Sequence, residues 1–517
     1  MRAILTSLLM LATVAAAVFR HGVEAARAQA LQHLFVTTAQ GQVYGPVQGD
    51  IASFKGIPYA APPIGDLRWR PPQPAASRSE ILLAGDYGPP CLQPPMPDTQ
   101  RETASEDCLT INIFRPFEVE SPLPVMVWFH GGSFADGAGG DPLTDGSRLA
   151  QEGVVVVTFN YRLGPLGWLT PPLPSHETAD LDANLGMMDQ IAALRWVAEN
   201  IGAFGGDAGK VTLFGDTAGA TSVATLMASE AAAGLFQKAI IQSGKLREPA
   251  RPPSGTEAIG RAFFRILSRI VGVAEDSREL REVGAEHLLA AETTLLDDPL
   301  VGFSPTLDGK MVKESIAVAF KAGHERHIPL IIGTNEDETA GFPELGRRSN
   351  IDSEVDLALA NETMDRLKPL YPEAGSDRRK LAAKLFTDRS FVEPARLIAR
   401  AHAAREAPTY RYSFSYRQQG IPRRKATAGP EVEFVFGTLG TEAAGPFTYK
   451  ERETSNVMRA YWENFARTGD PNGPGLPVWP RYSADEQMLM ISSDGISAHR
   501  DPWTARLDRL QPQSESR

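Results

Sequence analysis

The stretch VTLFGDTAGATS, Val211 to Ser222, decides how this chain is read. Val211 to Phe214 is a short apolar run of strand character, Gly215 and Gly219 bracket a tight turn, and the residues from Ala218 onward are helical in pattern. A strand, a glycine turn and a helix in that order lift the central side chain out of the end of a sheet. That central residue is Thr217. Five residues of the form G-x-T-x-G mean little alone, so the weight falls on their surroundings.

Working outward, buried strands alternate with amphipathic helices. Pro124–Phe129, Val154–Asn160, Val211–Phe214, Lys238–Gln242 and Ile328–Gly333 are short apolar runs ending in turn signals. Between them, Asp189–Ile201 places Ile191, Leu194, Val197, Ala198 and Ile201 on one helical face. This alternation predicts an α/β fold: a large, mainly parallel central sheet with helices on both faces. Leu246 to Val301 is charged and helical in pattern, and reads as a cap or insertion over the sheet.

At 517 residues, with 42% hydrophobic and 22% charged residues, the chain can bury one large core. A net charge of −11 gives no electrostatic footprint for nucleic acid or an anionic membrane. Residues 1–30 read as a secretory signal peptide: Arg2, the apolar run Ala3–Phe19 and the small-x-small site Ala28–Ala30. The expectation is therefore one domain over residues 31–517, in a secreted or periplasmic protein with no transmembrane anchor. Nothing in the sequence sets an oligomeric state. The two cysteines, Cys91 and Cys108, agree with export, where an even pair favours a disulfide over two free thiols. A zinc site would need more ligands, and no His lies between Leu92 and Phe129. No metal or organic cofactor is implied.

Gly215 to Gly219 reads G-x-T-x-G where the nucleophile elbow of an α/β-hydrolase reads G-x-S-x-G. Upstream, FHGGSF (Phe129–Phe134) follows a strand and offers the N–H groups of Gly131 and Gly132. With the N–H of Ala218 they form a candidate oxyanion hole, a large contributor to acyl transfer.

Longer segments carry a family resemblance: FKGIPYAAPPIGDLRW (Phe54–Trp69), SEDCLTINIFRP (Ser105–Pro116), VWFHGGSF (Val127–Phe134), NYRLGPLGWL (Asn160–Leu169), Asn184–Gly215 and WENFARTGDPN (Trp462–Asn472). The chain resembles type B carboxylesterases, a family that includes bacterial para-nitrobenzyl esterases, cholinesterases and the non-enzymatic neuroligins. The resemblance runs through nearly all of the chain beyond residue 30. It implies that Cys91 pairs with Cys108, and that Glu338, in GTNEDETAGF (Gly333–Phe342), holds the triad's acid position.

The family's third member, a histidine, is missing. Relatives carry it just before a Glu-x-Glu-Phe-x-Phe-Gly strand, here EVEFVFG (Glu431–Gly437), and matching Gly429, Pro430 and Glu431 puts Ala428 in its place. His130 belongs to the oxyanion loop, and His33, His176, His287, His324, His327, His402 and His499 read as surface or capping residues. Asp216 stands where the family usually has Glu. A β-branched threonine fits the strained elbow poorly, and an unassisted alcohol is a weak nucleophile. Three readings stay open at this point: a pseudoenzyme that keeps a pocket for a small ester or acyl ligand or binds a partner; an ester hydrolase using Thr217 with an unconventional base such as Lys425; or both changes introduced to trap a ligand. Phe134, Leu166 and Trp168 mark either an apolar pocket lining or ordinary core.

Overall fold

The computed structural model describes residues 33–94, 104–169, 183–247, 251–275, 278–298, 301–341, 368–416, 429–440 and 447–510. The signal-peptide expectation, Ala428 and Lys425 lie outside the described residues.

The described strands are β1 (His33–Thr38), β2 (Gly41–Gln48), β3 (Ile51–Pro58), β4 (Leu82–Leu83), β5 (Thr110–Pro116), β6 (Leu123–Phe129), β7 (Val155–Phe159), β8 (Gly206–Asp216), β9 (Lys238–Gln242), β10 (Leu330–Asn335), β11 (Thr409–Phe414), β12 (Gln487–Ser492) and β13 (Gly495–Arg500). They form one sheet in the order β1-β2-β3-β5-β7-β6-β8-β9-β10-β11-β12-β13, with β4 beside β2. The centre, from β7 through β12, is parallel, as its all-apolar runs require when helices cover both faces. Both flanks turn antiparallel: β1 to β5 and on to β7 at one side, β12 with β13 at the other. "Mainly parallel" therefore describes the centre of a mixed sheet.

The helix Leu185–Asn200 buries Ile191, Leu194 and Val197 as expected, and continues into a 3-10 turn where Ile201 is buried. Ala198 is exposed instead, because Ala193 and Trp196 rotate the buried stripe the other way. Its Asp189 holds the Arg162 guanidinium through two bonds of 2.8 Å and also accepts from the Arg162 backbone N–H at 3.0 Å. That fully buried pair locks the loop after β7 onto the helix. The segment Leu246–Val301 supplies the cap: Pro253–Val271 and Ala285–Leu295 are its helices. Phe264 meets Trp69 edge-on at 5.0 Å, and Arg68 donates to Val283 O at 2.9 Å, so the cap is tied to the body.

EVEFVFG departs from the expected strand. Val432–Phe436 is a short helix closed by Gly437 at φ 70°. Val432, Phe434, Val435 and Phe436 are all buried beneath the helix Tyr449–Thr468, so the run is apolar without needing sheet neighbours. A short apolar run is ambiguous between helix and strand, and here packing decided. Cys91 and Cys108 form a disulfide, 17 residues apart in sequence.

Candidate active site

The elbow is built by crowding. β8 ends at Asp216, the next helix runs Ala218–Ala228, and Thr217 between them sits at φ 49°, ψ −108°. A Cβ on Gly219 would lie 1.9 Å from Phe129 O, and one on Gly215 would lie 2.7 Å from the Gly219 carbonyl carbon. Only glycine lets the helix pass that close to the ends of β6 and β8. Thr217 N–H donates to Gln242 O at 3.0 Å, which pins the turn to the end of β9. A positive φ at a β-branched residue is a strained conformation, of the kind that collects at functional sites.

The loop that carries Gly131 and Gly132 starts where β6 ends. Gly132 takes φ 103°, and its carbonyl accepts from the N–H groups of Ala135 and Asp136, both at 2.9 Å. Because Gly219 also packs against His130 O, the loop carrying Gly131 and Gly132 and the helix start carrying Ala218 lie side by side. His130 is committed within this loop: its Nδ1 bonds Gly131 O at 2.8 Å and its ring stacks on Tyr161 at 4.2 Å.

Glu338, just past β10, is buried and held from several sides. Its carboxylate accepts from Asn335 N–H at 2.7 Å and from Asn335 Nδ2 at 3.2 Å. Its own N–H donates to Thr387 Oγ1 at 3.2 Å. Asn335 Nδ2 also donates to Ser243 Oγ at 3.0 Å, and Ser243 Oγ donates to Glu431 Oε1 at 3.2 Å. Asp216 joins the group through Oδ2, which accepts from Gly429 N–H at 2.9 Å. Asp216, Glu338 and Glu431 thus form one buried acidic cluster. Burial, then the charge of Glu431, pushes Glu338 up to about 8 and raises Asp216 well above the usual carboxylate range. Glu431 is raised by burial too. Three such carboxyls do not all ionise at neutral pH.

Sequence reasoning had placed Thr217, Glu338, Gly131, Gly132 and Ala218, and the fold brings their elements to one end of the sheet. It had not singled out Ser243, Asn335 or the role of Glu431. Asn335 and Glu431 lay inside quoted segments, whereas Ser243, left-handed at φ 57°, carries no local signal in sequence. The other histidines whose side chains are described have partners elsewhere. His402 is a core residue rather than a surface one: both nitrogens are used, Nδ1 with Glu325 Oε1 at 2.9 Å and Nε2 with Ile328 O at 2.8 Å. His324 meets Glu314, His287 meets Glu286 and His499 meets Ser497. Phe134, Leu166 and Trp168 are buried, with Phe134 and Trp168 rings 4.3 Å apart. Among the described residues there is no cluster suited to a metal ion and no helix long and apolar enough to cross a membrane.

An elbow between a parallel strand and its helix, a glycine loop after β6 and a buried carboxyl after β10, on a large sheet covered by helices, are the layout of an α/β-hydrolase. The Carboxylesterase family model matches residues 32–508, and the chain belongs to that family. It is similar to the para-nitrobenzyl esterase of Bacillus subtilis (strain 168), 37% identical over 500 residues, which are 93% of this chain and 99% of that protein. The fumonisin B1 esterase of Sphingopyxis macrogoltabida is 35% identical over 473 residues, 88% of this chain and 86% of that one. Among solved structures, a carboxylesterase of Geobacillus stearothermophilus superposes with a TM-score of 0.81 at 33% identity, over 92% of this chain and all of that one.

Proposed function

We propose that this chain is an exported carboxylesterase-family protein whose ester hydrolysis is impaired and which retains a pocket for a small ester or acyl ligand. In this reading Thr217 stands at the nucleophile position, Glu338 at the acid position, Ala428 where the base is lost, and Gly131, Gly132 and Ala218 form the oxyanion hole. The observation that carries it is the state of Thr217: a strained β-branched residue whose Oγ1 is buried with no hydrogen-bond partner among the described residues. No described imidazole is bonded to it. A triad lacking members keeps only about 10³ to 10⁴ over the uncatalysed rate, from oxyanion hole and binding. The residues 1–30 pattern and the disulfide support export.

A second reading has one observation in its favour. Asp216 Oδ1 is also buried with no hydrogen-bond partner among the described residues, and Asp216 immediately precedes Thr217, so a carboxyl adjoins the nucleophile position in the chain. Hydrolysis of 4-nitrophenyl acetate by purified protein, beside Thr217→Ala, tests the proposal. Turnover at the rate of an intact esterase, abolished by that substitution, would refute impairment.

A further inference from the structure

The loop that carries Gly131 and Gly132 is held at both ends by side chains from other segments. At its start, Tyr161 Oη donates to His130 O at 2.7 Å. At its end, Gly137 is buried at φ 111°, and both of its backbone groups go to one side chain. Gly137 N–H donates to Gln93 Oε1 at 3.0 Å, and Gln93 Nε2 donates to Gly137 O at 2.9 Å. The same Nε2 donates to Cys91 O at 2.9 Å. A Cβ on Gly137 would lie 2.3 Å from His130 Nδ1 and 2.6 Å from Gly131 O, so Gly137 packs directly against the start of the loop.

Gln93 is itself anchored. It is buried, and the Cys91–Cys108 disulfide ties its segment to the body two residues away. Asn160 joins the same parts from below: its Oδ1 accepts from Gly139 N–H at 2.8 Å, and its Nδ2 donates to Pro89 O at 2.9 Å and to Cys108 O at 3.1 Å.

We propose that Gln93 is a positioning residue for the oxyanion hole, acting through Gly137 and touching no substrate; this rests on the reading of Gly131, Gly132 and Ala218 as the hole's donors. Such donors stabilise a developing oxyanion only if they already point at its place before the charge arrives. Gly131 and Gly132 have the wide backbone freedom of glycine, so their direction must be imposed by neighbours. An amide side chain suits the clamp because it offers a donor and an acceptor in one plane, the pair that an adjacent strand would present to Gly137. Removing it leaves a buried N–H and a buried C=O unpaired. The loop relieves that cost by moving Gly137, and His130 and Gly131 move with it because they are in contact.

The test compares the wild type with Gln93→Met, which keeps the side chain's length and removes both bonds, and with Gln93→Glu. Initial rates on 4-nitrophenyl acetate are taken below the melting transition of every variant, so a loss of folded protein cannot imitate the effect. Gln93→Met should lower the residual kcat about ten- to a hundredfold and leave KM within about twofold. Gln93→Glu should be as slow above neutrality, where its carboxylate faces Gly137 O. Relative to wild type it should recover as pH falls, because a neutral carboxylic acid again presents one donor and one acceptor. If Gln93→Met does not fold, the pH-dependent recovery of Gln93→Glu carries the test, and its absence overturns the assignment. If wild-type hydrolysis does not exceed the buffer rate, hydrogen exchange of the Val127–Gly140 peptide decides: faster exchange in folded Gln93→Met supports the clamp, and unchanged exchange overturns it. Unchanged kcat in a folded Gln93→Met, or a rise in KM alone, also overturns it. The impaired-esterase reading falls separately, on wild-type turnover as fast as an intact esterase, and Gln93→Met should then still lower kcat.

Discussion

The double substitution Thr217→Ser with Ala428→His should raise esterase activity far beyond the sum of the single changes. Serine removes the branch that the elbow's φ of 49° strains, and the Oγ keeps its place at the end of β8. The imidazole restores the proton acceptor, with Glu338 already anchored by Asn335 at 2.7 Å to orient it. Burial, then the charge of Glu431, pushes Glu338 up to about 8, so roughly one in ten is ionised at neutral pH. A neighbouring imidazolium would draw that carboxyl down by pairing with it. Because triad members act as a unit, each single variant should stay within about tenfold of the wild type. The double variant should gain at least about 10³ in kcat/KM, on the order of 4 kcal/mol of transition-state stabilisation. The assay is initial-rate hydrolysis of 4-nitrophenyl acetate, with active sites titrated by an organophosphate. A folded double variant that gains less than about tenfold would refute the claim that the oxyanion loop and acid remain competent.

Glu338→Gln should change the pH dependence of stability. Its carboxyl is near 8 folded against about 4.5 unfolded, so the folded state prefers the protonated form, and stability falls as pH rises from about 4.5 through about 8. The Gln variant should lose that decline and gain up to a few kcal/mol relative to wild type above pH 8, read from urea melts; parallel curves would contradict the shift. His402→Ala should destabilise the fold by about 3 to 5 kcal/mol by leaving Glu325 buried without its partner, yet leave residual hydrolysis unchanged; loss of hydrolysis in folded variant would place His402 in the chemistry. Cys91→Ser with Cys108→Ser should cost about 3 kcal/mol of stability, and non-reduced digests of exported protein should show the linked peptides.

Much of the fold was legible because the relevant signals are local. Val125–Phe129, Val155–Val157 and Leu330–Ile332 are apolar on both faces, as a covered parallel strand requires, and Gly215 and Gly219 announced a turn too crowded for any side chain. The family segments were likewise plain in the chain itself, as was the threonine at the centre of the elbow. Tertiary structure decided what depends on partners remote in sequence. EVEFVFG is apolar either way, and became a helix because it packs beneath Tyr449–Thr468. His402 looked like a surface residue on a helix until Glu325 and Ile328, more than seventy positions earlier, closed around both its nitrogens. The acidic cluster is the strongest case: Asp216, Glu338 and Glu431 come from three separate segments, and Ser243 and Asn335 join Glu338 to Glu431. A carboxyl's ionisation is set by the dielectric and charges within a few ångströms, which local sequence does not encode and only the closed fold supplies.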